Sequence, residues 1–275
     1  FAVGTFIYGL TYGVSNIQVK HVDLYFKDLP KSFDGYRIVH VSDFRLGTFN
    51  GWRSKILKAE MDSIENQKAY LICFTGDLQN IRPEEVEKMA SLIRQPMKGT
   101  ISVLGNHDYT EYIKGDAKEK AAEEARLIKA EEDILKWTLL RNQNTRITSP
   151  AKESIYICGT ENDGKPPFPN YADYNKATEG IGPNSFVIML QHDPSAWKRS
   201  ILPKTPAQLT LSGHTHGGQI WPYVYALKFK YDLPYGKERF GNTTAIVSSG
   251  VGAAGTLFRI GTQSEIILLN LYEKQ

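Results

Sequence analysis

The 275-residue sequence is short of cysteine, of charge imbalance and of unbroken apolar length. Its two cysteines are Cys73 in "LICFTGD" and Cys158 in "IYICGTE". Two thiols make no disulfide framework, and each sits in an apolar, strand-like run where a free thiol behaves as a small buried hydrophobe. With 33 basic and 30 acidic residues the formal charge is only +3, and no basic block stands out. A nucleic-acid-binding surface is therefore not expected. Internal repeats and low-complexity linkers are also missing, which excludes a solenoid or a tethered pair of domains. No run is a complete bilayer span: "FAVGTFIYGLTYGVSNIQV" carries no charge before Lys20, but three glycines and a polar end interrupt it. That stretch reads either as the trailing end of a removed membrane segment or as a first strand entering a sheet. The start at Phe1 rather than Met favours the first reading. Residues 1–30 are thus expected to be an N-terminal segment following such an anchor, and residues 31–275 a single domain.

What is present is a regular alternation. At 41% hydrophobic content the chain has enough apolar residues for a full core. "YRIVHVSD" (36–43), "AYLICFTGD" (69–77) and "TISVLGNHD" (100–108) read as strands. Amphipathic stretches at 52–67 and 83–95 separate them, and this β-α-β-α-β order predicts a sheet with helical crossovers. Residues 117–142, rich in Ala, Glu, Lys and Leu, predict one long half-solvated helix with Ala121, Ala125, Ile128 and Leu135 on its apolar stripe. Residues 162–174 read as a loop. The second half is mostly short strands: "SFVIMLQHD", "AQLTLSGHTHGG", "TAIVSSG" and "EIILLNLY". The architecture that uses all of them is an α/β fold, a four-layer αββα sandwich of two mixed β-sheets flanked by helices.

The chemistry lies at the strand ends. Five apolar runs each close on residues able to bind a metal: Asp43, Asp77, Asn106 with His107, His192, and His214 with His216. Alone, an Asp after a strand is a turn or helix cap, and a lone His is a satisfied polar residue. Together they are more specific, because four of the six histidines sit at such ends beside Gly, Asp or Asn. His21 and His40, inside strand runs, keep the structural reading. In α/β proteins ligands bind outside the carboxyl ends of strands, where these residues converge. Carboxylate, imidazole and amide oxygen form a mixed set suited to Mn, Fe or Zn, and thiolates are missing from it.

The motifs "SDFR", "GDLQN", "GNHD", "QHDP" and "GHTHGGQ", in this order, resemble the calcineurin-like metallophosphoesterases. The last block, with "SSGVGAAGTLFRIGTQSEIILLNL", is similar to a bacterial branch that includes membrane-associated phosphodiesterases and UDP-2,3-diacylglucosamine hydrolases. The resemblance implies hydrolysis of a phosphodiester or pyrophosphate at one or two divalent ions, with Asp43, Asp77 and His216 on the first. Asp77 would bridge to a second ion held by Asn106, His192 and His214. His107 would be the general acid, with Asp108 orienting its ring, and "GHTHGG" would project its two histidines from one side of an extended segment. Gly217 and Gly218 would let substrate approach the backbone. The implied partner is a small phosphorylated or lipid-linked substrate at a bacterial membrane surface, with no specific nucleic acid. The substrate wall is expected from the 110s, the 160s loop and residues 221–240.

One position departs from the pattern. The family carries D-x-H at the first strand end, and this chain has Arg45 where that histidine would stand. If the backbone stays extended there, Asp43 and Arg45 point the same way. A guanidinium keeps its proton near neutral pH and cannot ligate. Three arrangements are compatible with it. Arg45 replaces the first cation and pairs with Asp43 or grips a phosphate oxygen; or it swings aside and both ions bind; or the protein is a catalytically impaired family member that binds phosphorylated or lipid-linked ligands.

Overall fold

The computed structural model describes residues 2–274; Phe1 and Gln275 lie outside the described residues. One six-stranded sheet contains β1 (Ile17–Phe26), β2 (Tyr36–Val41), β3 (Leu71–Phe74), β4 (Ile101–Ser102), β5 (Thr138–Leu139) and β12 (Ser264–Glu273), in the order β1-β12-β2-β3-β4-β5. The other contains β6 (Gln143–Thr148), β7 (Ser154–Gly159), β8 (Phe186–Leu190), β9 (Leu209–Ser212), β10 (Gly236–Phe240) and β11 (Thr243–Val247), in the order β10-β11-β9-β8-β7-β6. Parallel and antiparallel pairs occur in both, so the sheets are mixed as expected.

The two-residue period of the strands assigns side chains to layers. On β12, Ile267, Leu269 and Leu271 enter the core between the sheets, where Ile188 and Leu190 of β8 meet them. Ile266 and Leu268 face the opposite way, toward helices α3 (Ser54–Asn66) and α4 (Glu84–Ile93), which contribute Leu57, Met61, Val86 and Ile93. On the far side, Val187 and Met189 of β8 pack on Trp197 and Ile201. Strands covered on both faces need apolar residues at every position, which is why "FVIML" is continuous rather than alternating. Cys73 and Cys158 are buried free thiols in two different cores.

Three elements differ from the sequence expectation. Residues 2–10 and 12–15 are short helices, which departs from the strand alternative alone, and extended structure begins at Ile17. Strand β1 then pairs with β12 along ten residues, so the sheet includes chain that a boundary at residue 31 would leave out. The helix expected to 142 runs as an α-helix only over Ala117–Lys129, continues as a π-helix to Leu135 and stops at Lys136, which is left-handed. Trp137 is the reason: it turns into the core against Phe74, and Thr138–Leu139 becomes the sheet edge. Leu127, Ala130 and Leu135 bury, while Ala121 and Ala125 of the expected stripe stay exposed.

Candidate metal centre

The predicted strand ends meet at one edge of the sandwich. Asp43 follows β2, Asp77 follows β3, Asn106 and His107 follow β4, His192 follows β8, and His214 and His216 follow β9. The backbone there is not extended. Asp43, Arg45, Asp77, His214 and His216 all have positive φ, between 50° and 73°. Non-glycine residues hold that region at a cost and only when the surroundings fix them. Arg45 consequently leaves Asp43 and contacts Asp77, its Nε 3.1 Å from Oδ2. The "GHTHGG" segment is likewise a tight turn, from which His214 reaches Asn106 and His216 reaches Asp43.

Two glycines let the loops of opposite sheets touch. A Cβ at Gly105 would collide with Asp77 Oδ1 and lie 2.8 Å from His192 Cε1, and one at Gly213 would collide with Asp43 Oδ2. Of the two glycines expected at the substrate, Gly218 lines the cleft. Both have positive φ, and the missing Cβ of Gly218 makes room for the Val224 backbone; Gly217 does not line the cleft.

Charged side chains, Asp108 and Arg259 buried and Glu85 half-buried, bracket these loops from behind. Asp108 does not touch the His107 ring. Its carboxylate accepts backbone N–H groups from Asp77 (2.7 Å), Leu78 (3.0 Å), Gln79 (3.3 Å) and Gly105 (2.8 Å), so it fixes the Asp77 turn. Glu85 accepts in the same way from Gly47, Asn80, Ile81 and Arg82. Arg259, wholly buried, donates to the carbonyls of Ser249, Gly250, Gly252 and His216.

The donor atoms converge in front. One ligand atom each from Asp43, Asp77 and His192 lies within 4.8 Å of the others. Asn106 Oδ1 is 3.1 Å from His192 Nε2 and 2.8 Å from His214 Nδ1. Supporting contacts choose which atoms face inward. His192 Nδ1 is engaged by the Thr75 carbonyl at 2.7 Å, the Asn106 amide donates to Tyr112 Oη at 3.1 Å, and His214 Nε2 meets Tyr231 Oη at 3.0 Å. Asp43 Oδ1, Asp77 Oδ2 and both ring nitrogens of His216 are buried without a hydrogen-bond partner. Buried polar atoms are rarely left so, and a mixed oxygen and imidazole set of this kind fits a divalent cation of the Mn, Fe or Zn type.

The charge states of Asp77, His214 and His216 suit ligation, and those of Asp43 and His192 do so only once a proton leaves. Burial opposes ionisation of Asp77, but Arg45 and His192 outweigh it and hold the carboxyl well below its usual range. Burial pushes Asp43 up, and neighbouring Asp77 adds to it. Burial lowers His214 to about 4 and holds His216 well below the usual imidazole range, leaving neutral rings with lone pairs to give. His192 also loses solvation, yet Asp77 and Asp43 raise it to about 9, so a proton sits among those carboxylates. Metal binding at such a site displaces protons.

Arg45 is 4% exposed. Its Nε is close to Asp77 as an ion but misaligned for a hydrogen bond, and Nη1 has no partner either. It forms part of a cleft of about 660 Å³ with Asn106, His107, His214 and His216. Tyr112, Phe168, Tyr223, Leu227 and Tyr231 complete the walls, drawn from the three segments expected to supply them. The His107 ring stacks on Tyr112 with centroids 4.0 Å apart, and its Nδ1 is 2.5 Å from the Asn80 carbonyl. Asn80, not Asp108, therefore orients it. Tyr112 and Tyr231 lie outside the strand-end motifs, whereas Asn80 closes "GDLQN" and Arg259 sits in the late "TLFRIG" block, and neither has a role legible in the sequence.

Proteins similar to this chain carry metallophosphoesterase names. A metallophosphoesterase of Bacillus subtilis, YkuE, is 28% identical over 88% of this chain and 81% of its own length. A Helicobacter pylori metallophosphoesterase is 27% identical over 99% of this chain and 68% of its own. A zebrafish transmembrane protein with a metallophosphoesterase domain is 27% identical over 94% of this chain, which spans only 58% of that protein's length. Among solved structures, the Plasmodium inner-membrane-complex anchor GAP50 shares the fold, with a TM-score of 0.51 at 14% identity over 85% of this chain and 80% of that one. The profile of the calcineurin-like phosphoesterases matches residues 36–218, which carry every donor named above, and the chain belongs to that family.

Proposed function

We propose that the chain is a phosphoesterase that works with one divalent ion held by Asp77, Asn106, His192 and His214, and with the Arg45 guanidinium as its second positive charge. The observation that carries this is the 3.1 Å approach of Arg45 Nε to Asp77 Oδ2, the carboxylate expected to bridge two ions. When bound, the ion would supply Lewis acidity at the phosphoryl group and a water acidic enough to attack near neutral pH. Arg45 offers its unpartnered Nη1 from the cleft wall to a non-bridging phosphate oxygen. His107, with Nδ1 engaged by Asn80, exchanges its proton through Nε2. Burial lowers this ring to about 4, so it is neutral at rest, and the negative charge of a bound phosphate restores the proton that the leaving oxygen needs. The apolar walls at Phe168, Ile220, Tyr223 and Leu227 suit a lipid-linked phosphate ester as substrate.

The test is metal-stimulated hydrolysis of a chromogenic phosphodiester. Asn106→Ala and His107→Ala should each lower kcat/KM by about a hundredfold or more; unchanged turnover in both overturns the assignment. A second reading, a phosphate-ester binder without turnover, is favoured by the same ion pair, which ties up a carboxylate oxygen. Calorimetric binding with no hydrolysis under Mn, Fe or Zn would establish it.

A further inference from the structure

From the cleft mouth outward the surface carries a concentration of exposed aromatic and aliphatic side chains. On one side are Trp221 (60% exposed), Tyr223, Tyr225 and Phe229 (96%), around helix α8 (Tyr223–Leu227). On the other is helix α1 (Ala2–Leu10), with Val3, Phe6, Ile7 and Tyr8 all exposed. One short segment joins the two. The Phe6 and Phe258 rings are 5.5 Å apart, and Arg259 N donates to the Gly9 carbonyl at 3.0 Å. Ile260 bridges to Ile220, and Trp221 N donates to Ile260 O at 2.8 Å. The two exposed patches are therefore neighbours, linked through half-buried Phe258 and Ile260.

Its charge has one sign. No acidic residue occurs between His214 and Asp232, and exposed Lys228 and Lys230 flank Phe229. Residues 2–19 carry no charged side chain at all. Aromatic rings with a polar edge, one projecting phenylalanine and flanking lysines are the composition that settles at a membrane interface, apolar atoms in the acyl boundary and ammonium groups among anionic headgroups. A second copy of this chain fits less well, since a two-fold contact would bring lysines against lysines. Helix α1 exposes apolar residues around much of its circumference, a pattern suited to lipid rather than to water.

We infer that the face formed by α1 and residues 220–230 docks on an anionic lipid bilayer. Ile220, Tyr223, Leu227 and Lys230 belong both to this face and to the cleft wall, so docking sets the cleft mouth at the headgroup layer. Among the described residues no helix is long and apolar enough to cross a membrane.

Co-sedimentation with vesicles tests this without reference to turnover, so a failure of the hydrolytic assignment would leave the result readable. The protein should partition onto phosphatidylcholine vesicles containing phosphatidylglycerol, and less onto phosphatidylcholine alone or at high salt. Lys228→Glu should lower partitioning about fivefold or more, the change expected when one lysine near an anionic surface gives way to a repelled carboxylate. The Trp221→Ser/Phe229→Ser pair should lower it about tenfold or more. None of these three side chains lines the cleft, so circular dichroism and hydrolysis of a soluble chromogenic diester should be unchanged. Equal partitioning by all variants, no preference for anionic vesicles, or light scattering that shows a dimer abolished by Phe229→Ser would each overturn the proposal.

Discussion

Arg45 sets the electrostatics of the centre because its guanidinium lies 3.1 Å from Asp77 and belongs to the chain itself. A buried guanidinium beside Asp77 supplies positive charge permanently, where a second ion would come and go with its concentration. Arg45→His should therefore restore a nitrogen donor and remove the competing cation. The expected outcome is a higher ratio of divalent ion to protein by elemental analysis after dialysis against Mn; an unaltered ratio would mean that Arg45 does not limit the first position. Position 45 is readable from the sequence as a departure, since the motifs around it define what should stand there. Its partner is not. An extended reading aims Arg45 along Asp43, and only the left-handed φ at both residues turns it to Asp77 instead.

At the scale of elements, the strands are legible because each burial face leaves a trace of period two or an unbroken apolar run. The long helix overruns in a sequence reading because Ala, Glu, Lys and Leu favour helix whatever follows, and nothing local announces that Trp137 is needed by Phe74 in the core. The strand-end loops carry a constraint of another kind, close approach between backbones that never meet in sequence. Gly105 is the clearest case. Gly105→Ala should drive a methyl into Asp77 and His192, costing about 1–3 kcal/mol in denaturant unfolding, in the range of an overpacked site. A cost within about 0.5 kcal/mol, typical of a free surface position, would show that the two loops yield. "GNHD" reads as a ligand motif in sequence, and its glycine is as much a part of it as the asparagine.

For the molecule as a whole, stability depends on acids held away from water. Glu60 on α3 is fully buried; Oε1 accepts from Ser264 Oγ at 2.7 Å, and Oε2 has no partner. Burial raises its pKa from 4.5 to about 8, with Ser264 and Arg259 opposing. Between those values the folded chain keeps a proton that the unfolded chain releases, so stability falls as pH rises across that window. Glu60→Gln should flatten the pH dependence of Tm between about pH 5 and 8 and raise Tm near pH 8, by an amount worth a few kcal/mol. An equal slope in both proteins would remove Glu60 as its source. No sequence pattern marks this acid, because an amphipathic helix tolerates a glutamate on either face until the neighbouring layer is known.

The place of β12 between β1 and β2 has a consequence for synthesis on the ribosome. Strand β1 emerges before every other strand of the sandwich and pairs with the one that emerges last, so it must wait as a nascent segment with both edges open. Until then the rest of the sandwich has no neighbour for it, which makes that interval the window in which a chaperone would act on this chain.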